Sequence, residues 1–94
     1  MTADVRAVVA VIRALVAAEP TLVFGNGRCY AMFAHLRRIF GVKARPFYDG
    51  DHVTTEIDGH HYDSRGLTIS AGVPMALVSQ RAVSQMRRNS ERQA

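Results

Sequence analysis

The 94-residue chain has no tryptophan, only one cysteine and no apolar run as long as a membrane span. A single cysteine cannot close an internal disulfide, so we expect a chain without disulfides and a cytoplasmic location. The most apolar segment, VRAVVAVIRALVAA, is interrupted by Arg6 and Arg13 and is shorter than the ~20 apolar residues that cross a bilayer. It also lacks the layout of a cleaved signal peptide. We therefore expect neither a membrane anchor nor a leader.

An excess of charge of one sign is found only near the C-terminus. Residues 1–80 carry eight basic and seven acidic side chains, whereas residues 81–94 carry four arginines and one glutamate. The net charge of +4 therefore belongs mostly to the tail. Nucleic-acid surfaces usually interleave basic and aromatic side chains, and this tail has no aromatic, so nucleic-acid binding is kept only as a third class of function. We interpret residues 1–94 as one domain with a basic tail over 87–94.

Hydrophobic periodicity predicts an α+β domain. Apolar residues at helical spacing predict a helix over 4–18, capped by Thr2 or Asp4, and a second helix over 28–40 that ends at Gly41. The segment VKARPFY is expected to be extended, and a β-hairpin should follow it, since Asp-Gly between two β-rich runs is a strong turn signal. A last helix is expected to begin at Pro74. The order is helix, helix, two or three strands, helix.

The hairpin register brings titratable side chains together. A two-residue turn at 58–59 pairs residues whose numbers sum to 117, so His52, Thr54, Glu56, His61, Asp63 and Arg65 share one face. His52 and Asp63 become diagonal neighbours on that face. A carboxylate in this position can hold the imidazole through its Nδ1–H, as the orienting acid does in nucleophile–base–carboxylate catalysis.

The nucleophile for such a site is the single cysteine. Cys29 falls in the first turn of the second predicted helix, where the helix dipole and unpaired N–H groups favour a thiolate. A Gly25-Asn26-Gly27 turn precedes it, and the Cys29 backbone N–H can donate to an oxyanion. The sequence therefore predicts a Cys29–His52–Asp63 triad, with Asn26, Gly27 and Arg28 as candidate oxyanion or substrate-binding residues.

Segment 25–66 resembles the transglutaminase-like branch of the papain-like cysteine enzymes. The resemblance is carried by GRC at a helix start, FGVKAR at the helix end and DHVTTEIDGHHYD across the hairpin. The matching positions are Gly27, Cys29, Gly41, Val42, Ala44, Arg45, His52, Glu56, Tyr62 and Asp63. It implies a papain-like half-fold, in which the helix carrying the cysteine packs on a small antiparallel sheet carrying the histidine and aspartate. It also implies acyl transfer through a thioester, ending in hydrolysis, deamidation or transamidation. Thr54 stands where the family often has an aromatic, and no tryptophan or glutamine supplies an oxyanion donor.

Other interpretations of the same residues stay open at this point. Cys29 can be a small buried hydrophobe, and Asp63 can pair with Arg65 or Arg45. Glu56 is expected to pair with His61 across the strands, and Arg28 can be a solvated charge. Zinc ligation by the triad residues has no supporting HExxH or paired CxxC motif, so no metal or cofactor is expected.

Two classes of function follow. The first is a small cysteine hydrolase or acyltransferase acting on an amide bond of a peptide or protein through a Cys29 thioester. The second is a papain-like fold with weak or absent turnover that serves as a protein-binding or inhibitory module. A domain this small leaves a shallow groove, so completion of the site by a protein partner or in a homodimer is compatible with either class.

Overall fold

The computed structural model describes residues 3–23, 28–50, 52–70 and 72–75, where two α-helices lie against a five-stranded antiparallel sheet. The predicted α+β class is confirmed, with more strands than expected. The elements are α1 (Val5–Ala18), a 3₁₀ turn (Pro20–Val23), α2 (Arg28–Phe40), a second 3₁₀ turn (Gly41–Lys43), β1 (Arg45–Tyr48), β2 (Val53–Ile57), β3 (His60–Asp63), β4 (Gly66–Thr68) and β5 (Val73–Pro74). The strand order is β4-β3-β2-β1-β5.

Both helices begin and end close to the predicted positions. The Asp4 side chain caps α1 by accepting a hydrogen bond from the Ala7 N–H at 2.8 Å. The first helix stops just before the Glu19-Pro20 pair, since a proline cannot supply the N–H that the helix needs. At the end of α2, Gly41 has a φ of 73°, the left-handed conformation that glycine adopts at helix C-termini.

The central hairpin forms in the predicted register. Asp58 and Gly59 both have positive φ, 51° and 86°, as a two-residue type I′ turn requires. The pairs Thr55↔Tyr62, Glu56↔His61 and Ile57↔His60 all sum to 117. The hairpin register therefore determines which side chains of β2 and β3 face the helices and which face the opposite side of the sheet.

The core lies between the helices and one face of the sheet. Val53, Thr55 and Ile57 of β2 are all at most 1% exposed, and so is Tyr62 of β3. Helix α2 packs across β2, and its Leu36 joins the same core cluster as Ile57 and Tyr62. The alternating partners of these residues, among them His61 and Asp63, consequently face away from the helices.

The chain after the hairpin departs from expectation. The ambiguous stretch 67–73 contributes two further strands, β4 paired with β3 and β5 paired with β1. Pro74 is paired with Phe47 in an edge strand instead of opening a helix, which suits a residue without an N–H. The rest of that predicted helix, and the basic tail over 87–94, lie outside the described residues. No helix within the described ranges is long and apolar enough to cross a membrane.

Candidate functional site

The thiol of Cys29 lies against the beginning of β2. Cys29 is the second residue of α2, and its side chain packs beside Phe33, Val53 and Met75. Its Sγ accepts a hydrogen bond from the Val53 backbone N–H at 3.4 Å. That N–H belongs to the peptide bond between His52 and Val53. Tertiary structure therefore brings the first turn of α2 to the residue that carries the predicted base.

A tight turn holds the backbone of His52 just before β2. Its N–H donates to Asp49 Oδ1 at 2.8 Å, and its carbonyl oxygen accepts from the Asp49 N–H at 3.2 Å. Gly50 adopts a φ of 105° within this turn, and its carbonyl oxygen accepts a hydrogen bond from the Tyr48 hydroxyl at 2.7 Å. The imidazole itself is 44% exposed. The backbone is thus anchored while the ring stays accessible to solvent.

Asp63 faces the imidazole, as the hairpin register predicts, but through the other ring nitrogen. Its Oδ2 lies 3.7 Å from His52 Nε2, an ion-pair distance longer than a hydrogen bond. Its Oδ1 accepts the Arg65 backbone N–H at 2.8 Å, which fixes the carboxylate. Because Nε2 is turned toward the carboxylate, Nδ1 is the nitrogen left to take a proton from a thiol. The expected Nδ1–H contact with Asp63 is not the one observed.

Cys29 and the His52–Asp63 pair approach the same rim of the sheet from different sides. Cys29 reaches the start of β2 from the helix-covered face, whereas Asp63 belongs to the opposite face. His52 precedes the first residue of β2, so strand alternation does not hold its side chain to either face. A sulfur–imidazole contact would therefore form around the end of the sheet.

The alternative partners of the acidic residues are resolved by the structure. Arg45 Nη2 lies 3.5 Å from Glu56 Oε2, so this arginine does not pair with Asp63. Arg65 contacts Asp63 through its backbone N–H. Glu56 lies opposite His61 in the strand register, but its carboxylate forms an ion pair with Arg45.

His61 belongs to a separate cluster on the open face. Its Nδ1 lies 3.4 Å from the Thr54 hydroxyl, and its ring packs edge-on against Phe47 with centroids 4.8 Å apart. The guanidinium of Arg45 lies 5.7 Å from the centroid of the Phe47 ring, at cation–π distance. This surface continues along the sheet from His52 and Asp63.

Arg28 occupies a different environment from either one that the sequence suggested. Its side chain is only 3% exposed and its Nη2 lies 3.0 Å from Glu19 Oε1, so it is neither a solvated charge nor an open substrate contact. His35 Nε2 approaches the other oxygen of the same carboxylate at 3.4 Å. The arginine thus ties the start of α2 to the residue that follows α1. Asn26 and Gly27 lie outside the described residues.

Two contacts around this site have no distinctive signal in the local sequence. The Val53 N–H contact with the sulfur spans 24 positions and leaves no local signal, because it depends on how α2 packs on the sheet. Glu19 and Arg28 carry opposite charges at the two ends of the segment that connects α1 to α2, which hints at an ion pair. Many oppositely charged residues placed in this way do not contact each other. No group of three His, Cys, Asp or Glu residues within the described ranges is arranged to hold a metal ion.

Comparison with protein-family models, with curated proteins and with solved structures returns no match to this chain. A functional assignment therefore rests on the fold, the site geometry and the sequence resemblance of segment 25–66.

Proposed function

We propose that the protein is a small cysteine hydrolase or acyltransferase that acts on an amide bond of a peptide or protein. The observation that carries the proposal is the meeting of Cys29 Sγ with the His52–Val53 peptide bond, while His52 Nε2 faces Asp63. Nucleophile, base and orienting acid thereby come from a helix start, a strand start and a strand end. This order and placement agree with the papain-like half-fold that the sequence resembles, and we adopt that fold relationship as part of the proposal.

In the proposed reaction the His52 Nδ1 takes the proton of the Cys29 thiol, and the sulfur attacks the amide carbon. The carbonyl oxygen becomes an oxyanion that the Cys29 backbone N–H is placed to stabilise, because this N–H lies in the first turn of α2. The imidazolium, stabilised by Asp63, then gives its proton to the leaving amine as the C–N bond breaks. A thioester and a free amine result.

Water or a second amine completes the cycle. His52 removes a proton from the attacking group, the thioester carbon–sulfur bond breaks, and the thiol is regenerated. Attack by water gives hydrolysis or deamidation, and attack by an amine gives transamidation. A nucleophilic thiol is best preserved in a reducing compartment, so we also propose a cytoplasmic location.

The second candidate is a protein-binding or inhibitory module that keeps the fold without turnover. The 3.7 Å separation of His52 and Asp63 and the hydrogen bond that already occupies the sulfur favour it, since both leave the triad less than fully assembled. Catalytic hydrogen bonds are often long in the absence of substrate, so the same distances do not exclude the enzyme.

The pH dependence of Cys29 alkylation by iodoacetamide separates the two candidates. The enzyme proposal expects alkylation of Cys29 to remain fast at about pH 6, where an isolated thiol reacts slowly. This reactivity should be lost in His52→Ala and reduced in Asp63→Asn. His60→Ala changes an exposed histidine of the same hairpin and should leave the profile unchanged. An ordinary thiol profile that is insensitive to His52→Ala would refute the catalytic assignment and leave the binding module.

A further inference from the structure

A groove lies between α1 and the β3–β4 turn. The second half of this helix and the β3–β4 turn border a cavity of about 270 Å³. Ile12, only 1% exposed, and the neighbouring Val16 and Ala17 give the groove an apolar helical wall. Gly66 forms part of the opposite wall, and its φ of 111° is a conformation that few other residues adopt. A Cβ at Gly66 would stand 4.0 Å from the Val9 side chain, so the turn lies close to the helix.

Ser64 and two arginines complete the lining of this groove. Arg13 comes from α1 and Arg65 from the β3–β4 turn, and both side chains are exposed. Neither guanidinium has an ion pair with a described residue, and no carboxylate is among the lining residues. The carbonyl end of α1 contributes about half a negative charge nearby. The Asp63 carboxylate, which accepts a hydrogen bond from the Arg65 backbone N–H, adds one negative charge behind the turn. The two guanidinium charges, which line the groove themselves, exceed this sum, so the groove attracts anions.

We propose that this groove binds a compact carboxylate with an apolar body, such as a medium-chain acid. The apolar wall can cover a short hydrocarbon chain, and a guanidinium matches the two oxygens of a carboxylate in a bidentate pair. The volume of about 270 Å³ lies just under the roughly 300–1,000 Å³ of most small-molecule sites, which limits the ligand to about the size of a medium-chain acid. The proposal does not depend on the chemistry of Cys29 and goes beyond the proposed function.

Titration of the full chain with octanoate, followed by amide chemical shifts, tests the proposal. Octanoate is used below the concentration at which it self-associates, beside 1-octanol, which lacks the charge, and acetate, which lacks the chain. Saturable shifts are expected at Ile12, Val16 and Gly66, with the two comparators at least about tenfold weaker because each provides only one of the two contacts.

Substitutions in the groove test which side chains contact octanoate. Arg13→Gln combined with Arg65→Gln should weaken octanoate binding about tenfold or more, and Ala17→Trp, at an exposed position of the wall, should block it by filling the groove. Arg38→Gln removes an exposed arginine of α2 and is the matched control, expected to leave binding within about twofold. Circular dichroism verifies that each variant is folded. Equal binding of octanoate and octanol, shifts that do not saturate, or unchanged binding in the folded double variant would each overturn the proposal.

Discussion

Replacement of Glu19 by glutamine tests how the start of α2 is held. Arg28 is 3% exposed and Glu19 is 42% exposed, so their 3.0 Å ion pair is neither fully buried nor fully solvated. Breaking a buried pair costs about 3–5 kcal/mol because one charge is left without a partner. Exposed pairs contribute about 0–1 kcal/mol. Since the charge that loses this contact in Glu19→Gln is the buried one, we expect a loss of about 2 kcal/mol in the free energy of unfolding.

Urea unfolding and thermal unfolding measure this loss. For a domain of this size, a decrease of about 2 kcal/mol lowers the melting temperature by about 8–16 °C. His35→Gln is the matched control, because it removes the other partner of Glu19 while leaving Arg28 paired, and it should cost less than about 1 kcal/mol.

The double variant Glu19→Gln/Arg28→Met gives the decisive comparison. Because it removes both charges of the pair, comparing it with the two single variants gives the coupling energy between Glu19 and Arg28, which should be about 0.5–3 kcal/mol. If Glu19→Gln costs no more than His35→Gln, and the Arg28→Met effect simply adds to it, then the pair does not hold the start of α2 and the reasoning is refuted.

Two further predictions concern the core and the hairpin. The Tyr62 hydroxyl is fully buried and has no hydrogen-bond partner among the described residues, so Tyr62→Phe should raise the free energy of unfolding by about 1 kcal/mol in urea titrations. A loss of stability would show that the hydroxyl is satisfied. Burial, and then the charges of Asp4 and Asp58, raise the pKa of Tyr62 above 10.0, so wild-type stability should fall as the pH rises above that value, and less so in Tyr62→Phe. Gly59→Val should destabilise the domain by about 1–2 kcal/mol, since a β-branched residue is strained at a φ of 86°; unchanged thermal unfolding would contradict the type I′ turn.

Local sequence signals were sufficient to predict the two helices and the central hairpin. Asp4 as a cap, the Glu19-Pro20 stop and Gly41 set helix ends through backbone chemistry within a few residues. The Asp-Gly turn at 58–59 similarly sets the pairing of β2 with β3. The two outer strands were not predicted, because β4 is three residues long and β5 is two, too short to show a period of their own. They form because neighbouring strands offer unpaired backbone groups.

The sequence by itself determined that Asp63 lies near His52, because an Asp-Gly turn and strand alternation leave few other arrangements. Only the tertiary structure decided which imidazole nitrogen faces the carboxylate, that Arg28 is buried against Glu19, and that the Cys29 sulfur meets the His52–Val53 peptide bond. These contacts join residues on separate elements, and their geometry depends on how α2 packs on the sheet. A local sequence pattern does not predict these distances, because the packing of hydrophobic side chains depends on the shape of the whole core.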